Sequence, residues 1–179
     1  MNRLLISAAI PIMALLGWVG KQEYDLRLGF HVRLRIQGYD PRDLLTGHFV
    51  RYSLKLDDDF KPCGAGEVAD AETCVCIFGE DKSPYFKLSS VSECGAALQN
   101  CGLYLKGRCE YSRFLTGVER FSIPEELAPA LDTIPEDSSA ILAVRQDGSA
   151  DVVDLLVGEE SITQYAKKRL KSAPATPTP

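Results

Sequence analysis

All six cysteines of the chain lie in one segment between positions 63 and 109: Cys63, Cys74, Cys76, Cys94, Cys101 and Cys109. An even number of clustered cysteines is typical of a disulfide framework, which forces distant parts of a chain into contact. A zinc site is disfavoured, because structural zinc ligands are usually spaced C-x₂₋₄-C, whereas the spacings here are C-x-C and C-x₆-C. That pair leaves open a thiol-redox or soft-metal site, although its spacing is not that of a C-x-x-C motif.

Cys74 and Cys76 lie in the alternating segment Thr73–Phe78, which predicts a strand with both cysteines on one face. Side chains two positions apart on a strand are separated by about 6.5 Å. We therefore expect the two cysteines to bond to different partners rather than to each other. The sequence does not determine which cysteines pair.

The amino end begins with Arg3 and an uncharged apolar run, residues 4–19. Such a run indicates a signal anchor over residues 1–20, a cleaved signal peptide or a buried soluble helix. Bulky Trp18 and Val19 do not match the small residues of a cleavage site, which favours the anchor. A short positive start favours an amino end that stays inside while the rest of the chain is exported. An oxidising compartment on that side would agree with disulfide bonds.

The charge balance excludes one large class of partner. The 179 residues include 20 Lys and Arg against 25 Asp and Glu, so the formal net charge is −5. A chain of this charge has no basic footprint for nucleic acid, and we expect no nucleic-acid partner. The chain contains only two histidines, His31 and His48, which excludes a metal site built from several histidines.

The exported part is expected to be mainly β, with a minor α component: one antiparallel β-rich domain, a small barrel or sandwich, with two short helices. Period-two alternation and turn residues predict strands at residues 30–36, 47–56, 73–78, 84–88, 140–145 and 151–157. Residues 103–109 and 111–121 are expected to be extended, with breaks at Gly107 and Gly117. Residues 60–72 and 94–101 are expected to be loops, and Asp147-Gly148 predicts a hairpin turn. Short helices are predicted after Pro124 and at residues 159–171, before a disordered tail, residues 172–179.

Three stretches carry a family resemblance. They are the extended segment Phe30 to Gln37, the turn Asp40-Pro41-Arg42-Asp43, and a strand led by Gly47. Together they resemble the GDYXXLXY family, a group of small membrane-anchored bacterial proteins, over residues 26–158. His48 stands where the naming motif has its acid. The cysteine-rich segment, residues 60–110, lies outside the family pattern and is interpreted as an insertion.

The resemblance implies an anchored, exported, mostly β domain that works with a multi-pass membrane protein. With the apolar run, it predicts a single-pass protein held in the bacterial inner membrane by residues 4–19, with most of the chain in the periplasm. Within the turn, Arg42 lies between Asp40 and Asp43, so an arginine–carboxylate pair is expected to fix the loop.

The function expected from these features is that of a membrane-anchored accessory or binding domain. The alternative is a thiol-redox or soft-metal protein that uses Cys74 and Cys76. A membrane-associated hydrolase ranks third, because Ser7 lies inside the apolar run and no G-x-S-x-G motif is present. We therefore predict no catalytic residues, no metal and no cofactor.

Overall fold

A computed structural model describes residues 10–21, 29–38, 49–56, 60–63, 69–79, 83–110, 113–131 and 133–172. Helix α1 covers residues 10–21. The strands are β1 (Phe30–Gly38), β2 (Phe49–Leu54), β3 (Ala69–Gly79), β4 (Phe86–Ser92), β5 (Tyr104–Glu110), β6 (Arg113–Leu115), β7 (Arg120–Ser122), β8 (Ser138–Val144), β9 (Ala150–Val157) and β10 (Glu160–Ser161). The remaining helices are α2 (Cys94–Cys101), a 3₁₀ helix (Glu125–Ala130) and α3 (Ile162–Ser172).

The strands form one mainly antiparallel sheet in the order β10-β9-β8-β1-β4-β3-β5-β6, while β2 pairs with β1 and β7 with β2. The contact between β1 and β4 is parallel. The sheet is open, so the predicted barrel or sandwich is corrected. The sheet curves, so that the turn between β8 and β9 reaches β5. There the backbone N–H of Lys106 donates to the carbonyl of Gly148 at 2.8 Å. The short end strands β6 and β10 pair only with their inner neighbours in the described part of the chain, and a closed barrel would require them to pair with each other.

The core lies on one face of this sheet. Alternation along β1 buries Val32, Leu34 and Ile36, and α3 covers the same core with Ile162 and Ala166. The 3₁₀ helix and strand β2 also contribute buried side chains to this core. Burying this apolar row is favourable because each large side chain removed from water contributes about 1.5–3 kcal/mol. We call the opposite face of the sheet the outer face.

Tyr52 is the largest side chain buried in this core. Its hydroxyl donates a hydrogen bond to the carbonyl of Val118, so its polar atom is satisfied inside the apolar cluster. Burial, together with the nearby charge of Glu119, raises the pKa of Tyr52. The tyrosine therefore stays neutral and packs as a core residue.

Strands lie at the predicted positions in the described segments, except that β5 continues through Gly107 and that residues 116–119 separate β6 from β7 within the predicted stretch 111–121. Both predicted helices are present, the first as a 3₁₀ helix. Two expectations about local secondary structure were wrong. Ala69 to Glu72 extend β3 instead of forming a loop, because they pair with β5. Residues 94–101 form helix α2 rather than a loop.

Helix α1 differs from every other helix in its exposure. All of its described residues are exposed, and its large apolar side chains are each 56–68% accessible. Within the described residues, no helix combines the length and apolar character that a membrane crossing needs.

The turn between β8 and β9 generates a prediction on stability. Gly148 has a φ of +77°, and an added Cβ would lie 2.2 Å from the Tyr104 ring. Gly117 has a φ of +88°, but an added Cβ there meets nothing within 4 Å. Gly117→Ala should cost about 1–2 kcal/mol through its backbone alone. Gly148→Ala adds an overpacking cost of about 1–3 kcal/mol.

Urea unfolding of the two variants measures this difference. Gly148→Ala is expected to have the lower free energy of unfolding, with an unchanged slope against urea. Equal losses in both variants would mean that the turn does not pack against Tyr104.

Candidate interaction surface

Two disulfides fasten helix α2 to the outer face of the sheet. Cys74 pairs with Cys94, the first residue of α2, and Cys76 pairs with Cys101, its last residue. The Cα–Cα distances are 5.1 and 5.3 Å, within the usual range for a disulfide. The expectation that Cys74 and Cys76 have different partners is confirmed. Two alternate positions of β3 therefore hold the two ends of one short helix.

The helix needs these bonds because its own sequence supports it weakly. It has eight residues, no side-chain cap at its N-terminus, no acid in its first turn and no base in its last. Isolated helices shorter than about 12–15 residues are marginal in water. Ala97 and Tyr104 form a small buried cluster with Cys74 beneath the helix. The disulfides and this cluster together hold α2 in place.

The third pair fastens a different segment. Cys63 bonds to Cys109 of β5 with a Cα–Cα distance of 5.6 Å. All six cysteines are therefore paired, and none is free. In this oxidised state Cys74 and Cys76 present no thiolate for disulfide exchange or metal binding.

A basic and aromatic cluster occupies the outer face beside α2. The ring of Tyr85 lies against two guanidinium groups: its centroid is 4.7 Å from the Cζ of Arg33 and 4.8 Å from that of Arg35. Both arginines belong to the polar row of β1, and Tyr85 directly precedes β4. We call Arg33, Arg35 and Tyr85 the outer-face patch.

Arg33 is held rigidly within this patch. Its Nε donates to Ser139 Oγ at 2.9 Å, and a second guanidinium nitrogen donates to the carbonyl of Gly158. A further bond, 2.7 Å long, goes to the carboxylate of Glu159. The side chain of Arg33 is only 11% exposed, whereas that of Glu159 is 82% exposed. Such a half-solvated pair contributes little to stability.

Arg35 differs from Arg33 because it is exposed. Among the residues that the structure describes, no carboxylate forms a salt bridge with Arg35, and its guanidinium lies over the ring of Tyr85. Arginine retains its charge while stacked on a ring. The patch therefore carries a positive charge that faces solvent in a chain of net charge −5.

The patch continues onto neighbouring strands. Phe78 of β3 is opposite Lys87 of β4 in the sheet register, and both side chains are exposed. Phe78 is 45% accessible, which is high for a large apolar side chain in a central strand. The outer face thus combines cationic, aromatic and apolar surface next to the ridge formed by α2.

The sequence singled out other residues. Asp40, Pro41, Arg42, Asp43 and Gly47 lie outside the described residues, so the expected arginine–carboxylate pair of that turn stays a prediction. His31 is exposed on the polar row of β1, as the alternation predicts. No group of three or more His, Cys, Asp or Glu side chains is placed to hold a metal ion in the described segments.

The outer-face patch was not predicted. The alternation of β1 does place Arg33 and Arg35 on the same polar row, which was a usable signal. Tyr85 is more than 45 positions away in the sequence, and nothing in its local pattern indicates that it contacts β1.

These features define a class: a small, disulfide-bonded, mostly β domain with an open sheet face. The GDYXXLXY protein family matches residues 11–155, and the chain belongs to that family. Comparison with curated proteins and with solved structures finds no match.

The disulfides of α2 generate the second prediction. Cys76→Ala with Cys101→Ala should lower the free energy of unfolding by about 3 kcal/mol and speed amide exchange throughout α2. The matched control is Cys63→Ala with Cys109→Ala, which should lower the free energy of unfolding by a similar amount. In this control the rate of amide exchange in α2, measured relative to the rate in β8, should stay unchanged. Hydrogen exchange measured by mass spectrometry tests this, and protection of α2 that survives the first change would contradict it.

Proposed function

We propose that this protein is a membrane-tethered, exported domain that acts by binding another protein. The observation that carries the proposal is helix α1, whose large apolar side chains are exposed along its whole described length. Exposing such side chains to water costs about 1.5–3 kcal/mol each relative to burial. A lipid bilayer would remove that cost, and the uncharged run over residues 4–19 supports insertion.

The disulfides support export of the domain that follows. All six cysteines are paired, and disulfides persist mainly in oxidising compartments such as the bacterial periplasm. The positive start at Arg3 favours an amino end that stays in the cytoplasm. We therefore propose that the domain lies on the periplasmic face of the bacterial inner membrane.

Binding is favoured over catalysis by the composition of the outer face. The patch consists of arginine and tyrosine, with exposed Phe78 beside it, and these residue types are enriched at the centre of protein interfaces. We also propose that the partner is a multi-pass membrane protein, as the resemblance implies. The alternative, thiol or soft-metal chemistry at Cys74 and Cys76, would require these disulfides to be reduced.

Topology mapping in a bacterial host tests the proposal. The full chain should remain with carbonate-washed membranes, and protease added outside spheroplasts should digest its domain. A maleimide reagent added without reductant should label none of the six cysteines.

A helix variant and its control complete this test. Leu15→Arg with Leu16→Arg should release the protein from the membrane or block export, because each arginine costs about 2.5–3.5 kcal/mol at the centre of a membrane helix. Gln99→Arg adds a charge on the exposed side of α2 and should change nothing. Wild-type protein found free in the cytoplasm with reactive thiols would refute the proposal.

A further inference from the structure

We propose that the outer-face patch docks an acidic extramembrane segment of the protein partner, and this inference rests on the proposed function. Carboxylates of the segment would pair with Arg35 and, by displacing Glu159, with Arg33. An apolar side chain of the segment would lie against Tyr85 and Phe78. The following observations carry this assignment.

The first observation is the local charge. Arg33 and Arg35 project from the same row of β1, and exposed Lys87 follows on the neighbouring strand β4. Glu159 pairs with Arg33, so Arg35 supplies the exposed positive charge on this area of a chain whose net charge is negative. Complementary charge accelerates encounter with an acidic partner and rejects a basic one.

The second observation is that the patch is already ordered. Arg33 is fixed by Ser139, Gly158 and Glu159, and Arg35 is stacked on Tyr85. Ordering a long side chain on binding usually costs about 0.5–1.5 kcal/mol, and this cost is reduced when the chain is held beforehand. Planar guanidinium groups also pair with carboxylates through two parallel hydrogen bonds.

The third observation is the apolar surface beside the charges. Phe78 is 45% exposed on the same face, although its strand lies inside the sheet rather than at its edge. An exposed phenylalanine next to stacked arginine and tyrosine resembles the core and rim of a protein interface. A purely electrostatic site for lipid phosphate would not require this aromatic surface.

The shape of the surroundings agrees with a peptide partner. Helix α2 is fixed by two disulfides on the same outer face, over the neighbouring positions of β3. It forms a rigid ridge beside the open area of β1 and β4. A chain segment can lie along such an area, whereas a membrane surface is flat and would meet the ridge first.

Site-specific photocrosslinking in the native host tests the proposal with the full chain. p-Benzoylphenylalanine is introduced at Phe78, and at Leu170 of α3 as a control position exposed on a different element. We expect a crosslink from position 78, and not from position 170, to an acidic extramembrane segment of a multi-pass membrane protein. Crosslinks from position 78 to lipid, to a second copy of this chain or to nothing would overturn the proposal.

Charge variants decide whether the arginines carry the contact. Arg35→Glu should reduce the yield of the crosslink at least tenfold, whereas Arg108→Glu, at an exposed position of β5, should leave it unchanged. Changing the crosslinked acid of the partner to arginine should restore the yield with Arg35→Glu. An unchanged yield with Arg35→Glu, or no restoration by the reversed pair, would contradict the assignment.

The two proposals fail in different ways. If the chain is not in the membrane fraction or its thiols are reactive, the proposed function fails. If the chain is anchored and oxidised but position 78 gives no arginine-dependent crosslink, only the docking surface fails. Retention of all three disulfides in Arg35→Glu shows that this variant is folded.

Discussion

Along β1 and β3, successive side chains point to opposite faces of the sheet, and this alternation constrains every other part of the structure. The same strand β1 supplies Leu34 to the core and Arg33 and Arg35 to the outer face. In β3 it supplies Val75 to the core and Cys74 and Cys76 to the disulfides of α2. A shift of one residue in either strand would bury charge or break both bonds to the helix.

The alternation also connects stability with the proposed function. Helix α2, held by two disulfides, covers the part of the outer face over β3 and β5. Over β1 and β4, Arg35 stays exposed and Tyr85 stays partly exposed. Because α2 is held covalently, it can border a binding surface without a large apolar face of its own. Two residues of this fixed surface, Arg33 and Arg35, follow soon after the apolar amino-terminal segment that we propose as the anchor.

Elements whose pattern is local could be predicted from the sequence. The alternating residues of β1 and β2, the hairpin at Asp147-Gly148 and the separate partners of Cys74 and Cys76 all follow from period two and turn chemistry. Helix α2 was not predicted because the segment has only eight residues and lacks a capping side chain and charged end residues, although its central alanines, leucine and glutamine favour a helix.

The open sheet and the outer-face patch depend on contacts between distant residues. The parallel contact of Leu34 with Phe86 brings β4 beside β1 and thereby places Tyr85 against both arginines. No local pattern around Tyr85 specifies that neighbour. The predicted barrel failed for the same reason, since closure depends on whether the end strands meet, and β6 and β10 are too short to show this in sequence.

Disulfide mapping of the full chain, purified from membranes without reductant and with thiols blocked at lysis, tests the central claim most directly. Digestion and mass spectrometry should find Cys74 bonded to Cys94, Cys76 bonded to Cys101 and Cys63 bonded to Cys109. That result requires both the alternation of β3 and an oxidising compartment. A bond between Cys74 and Cys76, or blocked free thiols at these positions, would contradict the account.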